Sequence, residues 1–306
     1  MSKVGYIFAG QGSQSVGMGR DFYTNSDTAR ELVELSSQRV GFDFAKLMFE
    51  ENDDLAKTEY TQPAILLVSA IAHKLFNDAL DIKPEFALGH SLGEFSALVS
   101  VGGLDIVDAV ELVHNRGKFM AEACEGKGAG MMVLLGLSDE KVEEIVSESG
   151  KSVWAANYNN DGQIVVAGLK DDLSSMESVF KDAGAKRAML LNMSVASHCP
   201  ILAPAQDGLK TYLEKYLYES FAAPVISNVT AEGYSTKSEA LPLLVEQLVK
   251  PVLYKQSIEK FCGSVENMVE FGNGAVLKGL NKKLTSTPTL NISDMASLES
   301  VVNQLS

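Results

Sequence analysis

Cysteine is scarce in this sequence. Cys124, Cys199 and Cys262 are scattered over 306 positions, too few and too far apart for a disulfide framework or a cysteine-based zinc site. That usage fits a reducing compartment. Long apolar runs are missing as well. The longest, from Pro63 to Ala72, falls far short of the ~20 residues a membrane helix needs. The opening stretch MSKVGYIFAGQGSQ carries one lysine and a short apolar run broken at Gly10, which does not read as a secretory signal. Positive charge is in deficit: 26 Lys and Arg against 40 Asp and Glu leave a net charge of −14. A phosphate backbone wants a basic surface, so nucleic acid is not the expected partner. A cytoplasmic chain with no membrane segment is expected.

What is present is an ordinary globular composition, 46% hydrophobic and 22% charged, which argues against disorder. The length suits one large domain or two smaller ones. Val4 to Ala9 reads as a buried strand stopped by Gly10-Gln11-Gly12. Helices follow after Ser26-Asp27 and over Pro63–Leu80, then a strand at Phe86–His90, a helix from Leu92 to Gly102-Gly103 and another from Asp105 to about Glu122. Strands alternating with helices imply a parallel sheet covered by helices. Between about 126 and 197 the pattern changes to strand Gly130–Leu137, a helix capped by Ser138, strands Val153–Tyr158 and Gln163–Ala167, helix Asp171–Ala183 and strand Ala188–Ser194. That β-α-β-β-α-β order predicts a ferredoxin-like unit inserted into the larger domain. The α/β style resumes with strand Pro224–Val229, helix Leu241–Leu248, strand Met268–Phe271 and a helix over Ala275–Leu284.

The sharpest local motif is Gly89-His90-Ser91-Leu92-Gly93, a G-x-S-x-G at a strand-to-helix turn. Such a turn presents the serine hydroxyl at the sheet edge. It also aims the Leu92 N–H at the helix start, where an oxyanion would form. A serine nucleophile needs a base, and the sequence holds four histidines. His90 adjoins the serine, His73 lies in an apolar helix and His114 on the helix before Arg116. Elimination favours His198, in a loop beside Pro200. No acid is forced as the orienting acceptor of the base, and a backbone carbonyl would serve as well. Gly10-Gln11-Gly12 lacks the Gly-Lys-Ser/Thr of a phosphate loop, and it could supply a second oxyanion donor or be a plain tight turn.

Arg116 stands out for its setting. Ala109, Leu112, Arg116 and Met120 fall on one helix face. A guanidinium on an apolar stripe must be paired, because an unpaired buried charge costs several kcal/mol. Its planar fork suits a carboxylate, either that of a structural salt bridge or that of a substrate. Basic residues also cluster at Lys186-Arg187, Lys278 and Lys282-Lys283. Gathered at one cleft mouth they could steer a polyanionic partner.

Taken together, these segments resemble the malonyl-CoA:acyl carrier protein transacylase family, the acyltransferases of fatty-acid and polyketide synthesis. The matching pieces are FAGQGSQ at 8–14, GHSLGE at 89–94, RGKFM at 116–120, NYNNDGQIVVAG at 157–168, SVASH at 194–198 and EFGNGAVL around Gly272, in family order. The resemblance implies an α/β-hydrolase-like large domain with a parallel sheet, residues 1–125 and 198–306, and a ferredoxin-like insert, residues 126–197. It implies that Ser91 takes the acyl group, that His198 is the base and that the backbone N–H groups of Gln11 and Leu92 form the oxyanion hole. Arg116 would grip the malonyl carboxylate, and the Gln247 backbone carbonyl would orient the histidine. Met120, Ser197 and Asn159 would line the pocket. One departure concerns substrate choice. Val195-Ala196-Ser197-His198 stands where stand-alone bacterial members resemble V-P-S-H. Modular synthases that take methylmalonyl resemble Y-A-S-H. With Val195 in place of the tyrosine and Leu92 after the serine, malonyl is favoured.

The implied activity is a ping-pong transfer of malonyl from malonyl-CoA to the phosphopantetheine thiol of acyl carrier protein, with no cofactor and no metal, by a monomer that meets its carrier transiently. Two other readings compete. One is a serine esterase or thioesterase using the same elbow, against which stand the lack of an H-G-G-G-like loop and the presence of Arg116. The other is a non-catalytic binding module.

Overall fold

The computed structural model describes residues 2–193 and 195–306. The chain opens with strand β1 (Val4–Phe8) and helices α1 (Arg20–Asn25), α2 (Asp27–Val40), α3 (Phe44–Phe49) and α4 (Thr58–Ala79). Strand β2 (Phe86–Gly89) and helices α5 (Gly93–Ser100) and α6 (Ile106–Cys124) follow. The middle runs β3 (Ala129–Leu135), α7 (Asp139–Glu148), β4 (Val153–Asn160), β5 (Gln163–Leu169), α8 (Lys170–Asp182) and β6 (Arg187–Leu190). The remainder is α9 (Gln206–Tyr216), β7 (Ser220–Ile226), β8 (Gly233–Thr236), α10 (Lys237–Glu246), α11 (Tyr254–Phe261), β9 (Asn267–Phe271), α12 (Val276–Asn281), β10 (Thr289–Ile292) and α13 (Met295–Leu305). Among the described residues no helix is long and apolar enough to cross a membrane.

Two sheets organise these elements. The first has the order β10-β9-β1-β2-β7-β8, parallel except for the β7/β8 pair. Every residue of β1 and β2 is buried, as expected of inner parallel strands covered on both faces. On one face lies the main core, with Phe8, Leu67, Phe95, Leu112 and Phe271. On the other, Ile7, Leu88 and Ile226 pack against Tyr254 and Ile258 of α11. The second sheet, β4-β5-β3-β6, is antiparallel throughout. It closes a separate core of Met132, Val142, Ile164, Leu173 and Phe180 beneath α7 and α8. The two halves are stitched at the backbone: Tyr158 N–H donates to Val252 O at 2.9 Å, and Val252 N–H to Ala156 O at 2.8 Å. Lys255 adds ion pairs to Asp139 at 2.9 Å and Asp161 at 2.8 Å.

Several boundaries differ from the sequence expectation. Helix α4 begins at Thr58, ahead of Pro63, and carries that proline inside it. Pro63 has no N–H to give the carbonyl four residues back. That carbonyl, on Glu59, instead accepts from the His114 ring at 2.7 Å. The expected strand Ala188–Ser194 ends at Leu190. Past it the chain turns, with Met193 N–H donating to Leu191 O; Ser194 lies outside the described residues. Helix α10 starts at Lys237 rather than Leu241, because Thr236 and Glu239 form a capping box that the T-x-x-E spacing could have disclosed. Strand β7 begins at Ser220 and ends at Ile226, not Val229, leaving Asn228 free to serve the site. The helix expected over Ala275–Leu284 is the shorter α12.

Replacing His114 by Phe keeps an aromatic ring but strands the Glu59 carbonyl. An unpaired acceptor costs about 1–3 kcal/mol when buried, and this half-buried one about 1 kcal/mol. His114→Phe is therefore expected to lower the unfolding free energy by about that amount in a urea titration, and an unchanged midpoint would contradict the compensation.

Candidate active site

The site forms where β1 and β2 end side by side. Gly89 closes β2 and Gly93 opens α5. A Cβ on Gly89 would lie 1.8 Å from the Gly93 carbonyl carbon, and one on Gly93 would lie 2.0 Å from Phe8 O. No other residue fits this crossing. Between them Ser91 adopts φ 54°, a left-handed conformation that costs a side-chain-bearing residue roughly 1–2 kcal/mol. Asn228, just beyond β7, holds it there. Its Oδ1 accepts from Ser91 N–H at 2.7 Å and its Nδ2 donates to Gly89 O at 2.6 Å.

His198 meets this elbow from the loop that follows β6, itself at φ 61°. Its Nδ1 lies 2.7 Å from Gln247 O and its Nε2 2.7 Å from Ser91 Oγ. A carbonyl can only accept, so Nδ1 carries the proton and Nε2 is left to accept from the serine hydroxyl. Burial, with the nearby Arg116 charge adding to it, pushes the imidazole down to about 3. The ring is neutral at physiological pH, the form a general base requires.

Arg116 reaches the same place from α6 and is 1% exposed. Among the described residues it makes no ion pair. Nη1 donates to Gln62 Oε1 at 2.6 Å and Nη2 to Gln247 Oε1 at 3.0 Å, while Nε has no partner among the described residues. The guanidinium sits 5.2 Å from the Phe95 ring centroid, a distance at which the ring face attracts a cation. The structural salt bridge that the sequence left open is therefore not there. Two neutral amide oxygens hold the cation, and its remaining donors are uncommitted. Burial lowers its pKa to about 10, so it stays charged.

Gln11, Ser91, Leu92, Arg116, Met120, Asn159, Ser197 and His198 all line one cavity of about 190 Å³. Neither Gln11 nor Leu92 N–H donates to a protein acceptor among the described residues. Both residues line the cavity beside Ser91, so each has an uncommitted N–H of the kind an oxyanion needs. Asn159 Oδ1 sits 2.8 Å from His90 Nε2, turning that neighbouring ring away from the serine. Met120 Sδ receives Gln62 Nε2 at 3.3 Å. Gln247 lies behind the cavity wall, fully buried. Of Lys186, Arg187, Lys278, Lys282 and Lys283, none lines the cavity; Lys278 lies on α12, whose Val276 and Leu277 border it.

A family model described as the acyl transferase domain matches residues 5–278. The chain belongs to the acyl transferase family. Among curated members of that family, it is 36% identical over 311 residues to a malonyl CoA-acyl carrier protein transacylase of Bacillus subtilis, covering 100% of this chain and 98% of that protein. The crystal structure of a malonyl-CoA:acyl carrier protein transacylase from Helicobacter pylori superposes with a TM-score of 0.98 at 45% identity, covering 100% of this chain and 99% of the other. A malonyl-transacylase solved in complex with its type II polyketide acyl-carrier protein gives a TM-score of 0.95 at 34% identity over 99% of this chain and 100% of the other. The acyl transferase family relationship thus spans the whole chain, including both sheets.

Residues that sequence reasoning missed lie one layer out. Asn228 had no signal beyond its place after a strand. Gln62 is the polar residue opening the apolar run of α4, and Glu94 is a lone acid in the apolar α5; each was a visible anomaly. Asn228→Ala would leave Ser91 N–H and Gly89 O unpaired, at about 1–3 kcal/mol for each buried group. It is expected to reduce unfolding free energy by about 2–6 kcal/mol and to slow Ser91 labelling by a fluorophosphonate. Wild-type labelling and stability would refute its role as the strut of the elbow.

Proposed function

We infer that this protein moves a malonyl group from malonyl-CoA to the phosphopantetheine thiol of acyl carrier protein, supplying fatty-acid synthesis, through a malonyl ester on Ser91. The observation that carries this reading is a buried guanidinium, without an acidic partner among the described residues, on the wall of the cavity that holds the Ser91–His198 pair. A hydrolase of esters that carry no carboxylate has little use for such a group. A malonyl substrate brings the carboxylate that completes it.

The steps follow from the atoms present. Ser91 Oγ gives its proton to His198 Nε2 and attacks the thioester carbonyl carbon. The oxyanion forms between the N–H groups of Gln11 and Leu92. The C–S bond breaks, and coenzyme A leaves as a thiol with the proton returned by His198. The carrier thiol then enters, loses its proton to the same nitrogen and attacks the ester, and the Ser91 hydroxyl is restored. Thioester becomes ester and then thioester again, so the exchange needs no external energy source, metal or cofactor. The imidazole's low basicity also has a consequence. A carboxylate seated on Arg116 cancels part of the positive field that depresses it, so a malonyl substrate makes its own base stronger.

Selectivity follows from Arg116. An acetyl group leaves the guanidinium without an anion, and leaving a buried charge unpaired costs about 3–5 kcal/mol. That corresponds to discrimination of roughly 10²–10³-fold or more. The finer fold reading belongs with this proposal: an α/β-hydrolase-like domain of residues 1–125 and 198–306, with a ferredoxin-like insert of 126–197. So do a monomeric state, a cytoplasmic location and a transient encounter with carrier protein.

Incubation with malonyl-CoA alone, followed by intact mass, is expected to yield a malonyl adduct on the wild type and none on Ser91→Ala, with discharge by carrier protein. Steady release of free malonate without an adduct would favour a thioesterase. Arg116→Ala is expected to reduce the malonyl-to-acetyl ratio of acylation rates by about 10²-fold or more. An unchanged ratio would remove Arg116 from substrate recognition.

A further inference from the structure

Glu94 is a carboxyl buried at 1% exposure in the first turn of α5, three residues after Ser91. The acyl-transfer steps above do not use it. Its oxygens are fully engaged. Oε2 accepts from Gln247 Nε2 at 2.7 Å and from Asn228 N–H at 3.1 Å, and Oε1 accepts from Tyr234 Oη at 2.9 Å. The other end of the same Gln247 carboxamide accepts from Arg116 Nη2 at 3.0 Å. Since a guanidinium only donates, the Gln247 oxygen must face Arg116 and its nitrogen must face Glu94. The amide dipole is thereby aligned between a buried cation and a buried acid, one amide apart.

Resting on the acyl-transfer reading, we propose that Glu94 is a positioning residue whose carboxyl acts through Gln247 as the internal counter-charge of Arg116, so that its protonation state sets how strongly Arg116 holds a substrate carboxylate. When Glu94 is ionised, the Arg116–Glu94 pair is neutral, and an arriving malonyl carboxylate leaves a net negative charge in a buried site. When Glu94 is protonated, Arg116 and the carboxylate neutralise each other. Malonyl binding therefore favours the protonated acid. A substrate without the carboxylate is indifferent to this term.

The acid is poised to titrate in the working range. Burial raises its pKa to about 7 against the opposing pull of Gln247, Asn228, Tyr234 and the Arg116 charge. Few other groups around it change charge between pH 6 and 8. Of the elements packed on α5, strands β1, β2 and β7 contain no ionisable side chain except Tyr6, whose pKa burial raises. Helix α6 contributes Arg116, lowered only to about 10. Helix α4 contributes His73, which burial lowers to about 4. From β8 comes Tyr234, raised well above its ordinary value by burial. Beyond Gln247 stands His198, lowered to about 3, and beside the elbow His90, also lowered by burial. One distant acid needs a control. Glu270 is raised to about 7 by burial and accepts from Leu277 and Lys278 N–H of α12, which borders the cavity.

The test is the ratio of malonyl to acetyl acylation rates, read by rapid quench and intact mass between pH 6 and 8. The ratio cancels any shared effect on His198. In the wild type it is expected to fall roughly five- to tenfold as pH rises, the span of a single group with a pKa near 7. The ratio should be flat in Glu94→Gln and keep its slope in Glu270→Gln. Tyr234→Phe removes a donor to the ionised form and should move the inflection to higher pH, which tests the idea even if Glu94→Gln folds poorly. A flat wild-type ratio, a slope retained in Glu94→Gln or lost in Glu270→Gln, or an unmoved inflection in Tyr234→Phe would each overturn the proposal. Adducts with both thioesters but no slope would sink this inference alone. No acyl-serine with either thioester would sink the acyl-transfer reading and this inference with it.

Discussion

Gln247 joins every part of the site. Its backbone carbonyl fixes the His198 tautomer. Its side-chain oxygen holds Arg116, and its side-chain nitrogen donates to Glu94 and to the Ser91 carbonyl. One fully buried residue thus couples the imidazole, the cation and the strained elbow. A network of this kind is stiff only when every member is satisfied. Among the described residues, donors without a partner are found on Arg116 and on the Gln11 and Leu92 amides, three residues that line the cavity.

Arg116, with no ion pair among the described residues, is tolerated because amide dipoles replace water around it. Gln62 and Gln247 supply oxygens, Phe95 supplies a ring face, and Glu94 supplies negative charge at one remove. A direct carboxylate partner would form a closed pair, and a substrate carboxylate would then have to compete with it. Setting the acid behind an amide leaves the fork open while limiting the cost of burying the charge, which for an isolated ion runs to several kcal/mol. The same arrangement explains why no acid orients the histidine: the nearby acid serves the arginine, and a carbonyl suffices for the imidazole.

Much of this was legible in the sequence. The G-x-S-x-G between a strand and a helix disclosed the elbow, because only glycines pass where Gly89 and Gly93 cross. The alternating strands and helices disclosed the parallel sheet. The candidate residues drawn from motif, elimination and the family resemblance line one cavity, except Gln247, which lies behind its wall. What escaped depends on contacts between distant segments. The start of α4 ahead of Pro63 relies on a histidine 55 residues downstream. The end of β6 is set by the turn toward His198. The roles of Asn228 and the Gln247 carboxamide depend on segments 137 and 156 positions from Ser91, which no local pattern reports. Glu94 announced itself only as an acid in an apolar helix, and its partner could not be read from spacing.

The central claim is that Arg116, the Gln11 and Leu92 amides and the Ser91–His198 pair act on one acyl group together. The most direct measurement is a crystal structure of the malonylated enzyme, trapped by rapid freezing after exposure to malonyl-CoA. The account expects the ester carbonyl oxygen about 2.7–3.1 Å from both amide nitrogens, with the terminal carboxylate forked onto Arg116 and the Gln247 contacts intact. A malonyl ester whose carboxylate points to solvent, with Arg116 still bound only to Gln62 and Gln247, would contradict it.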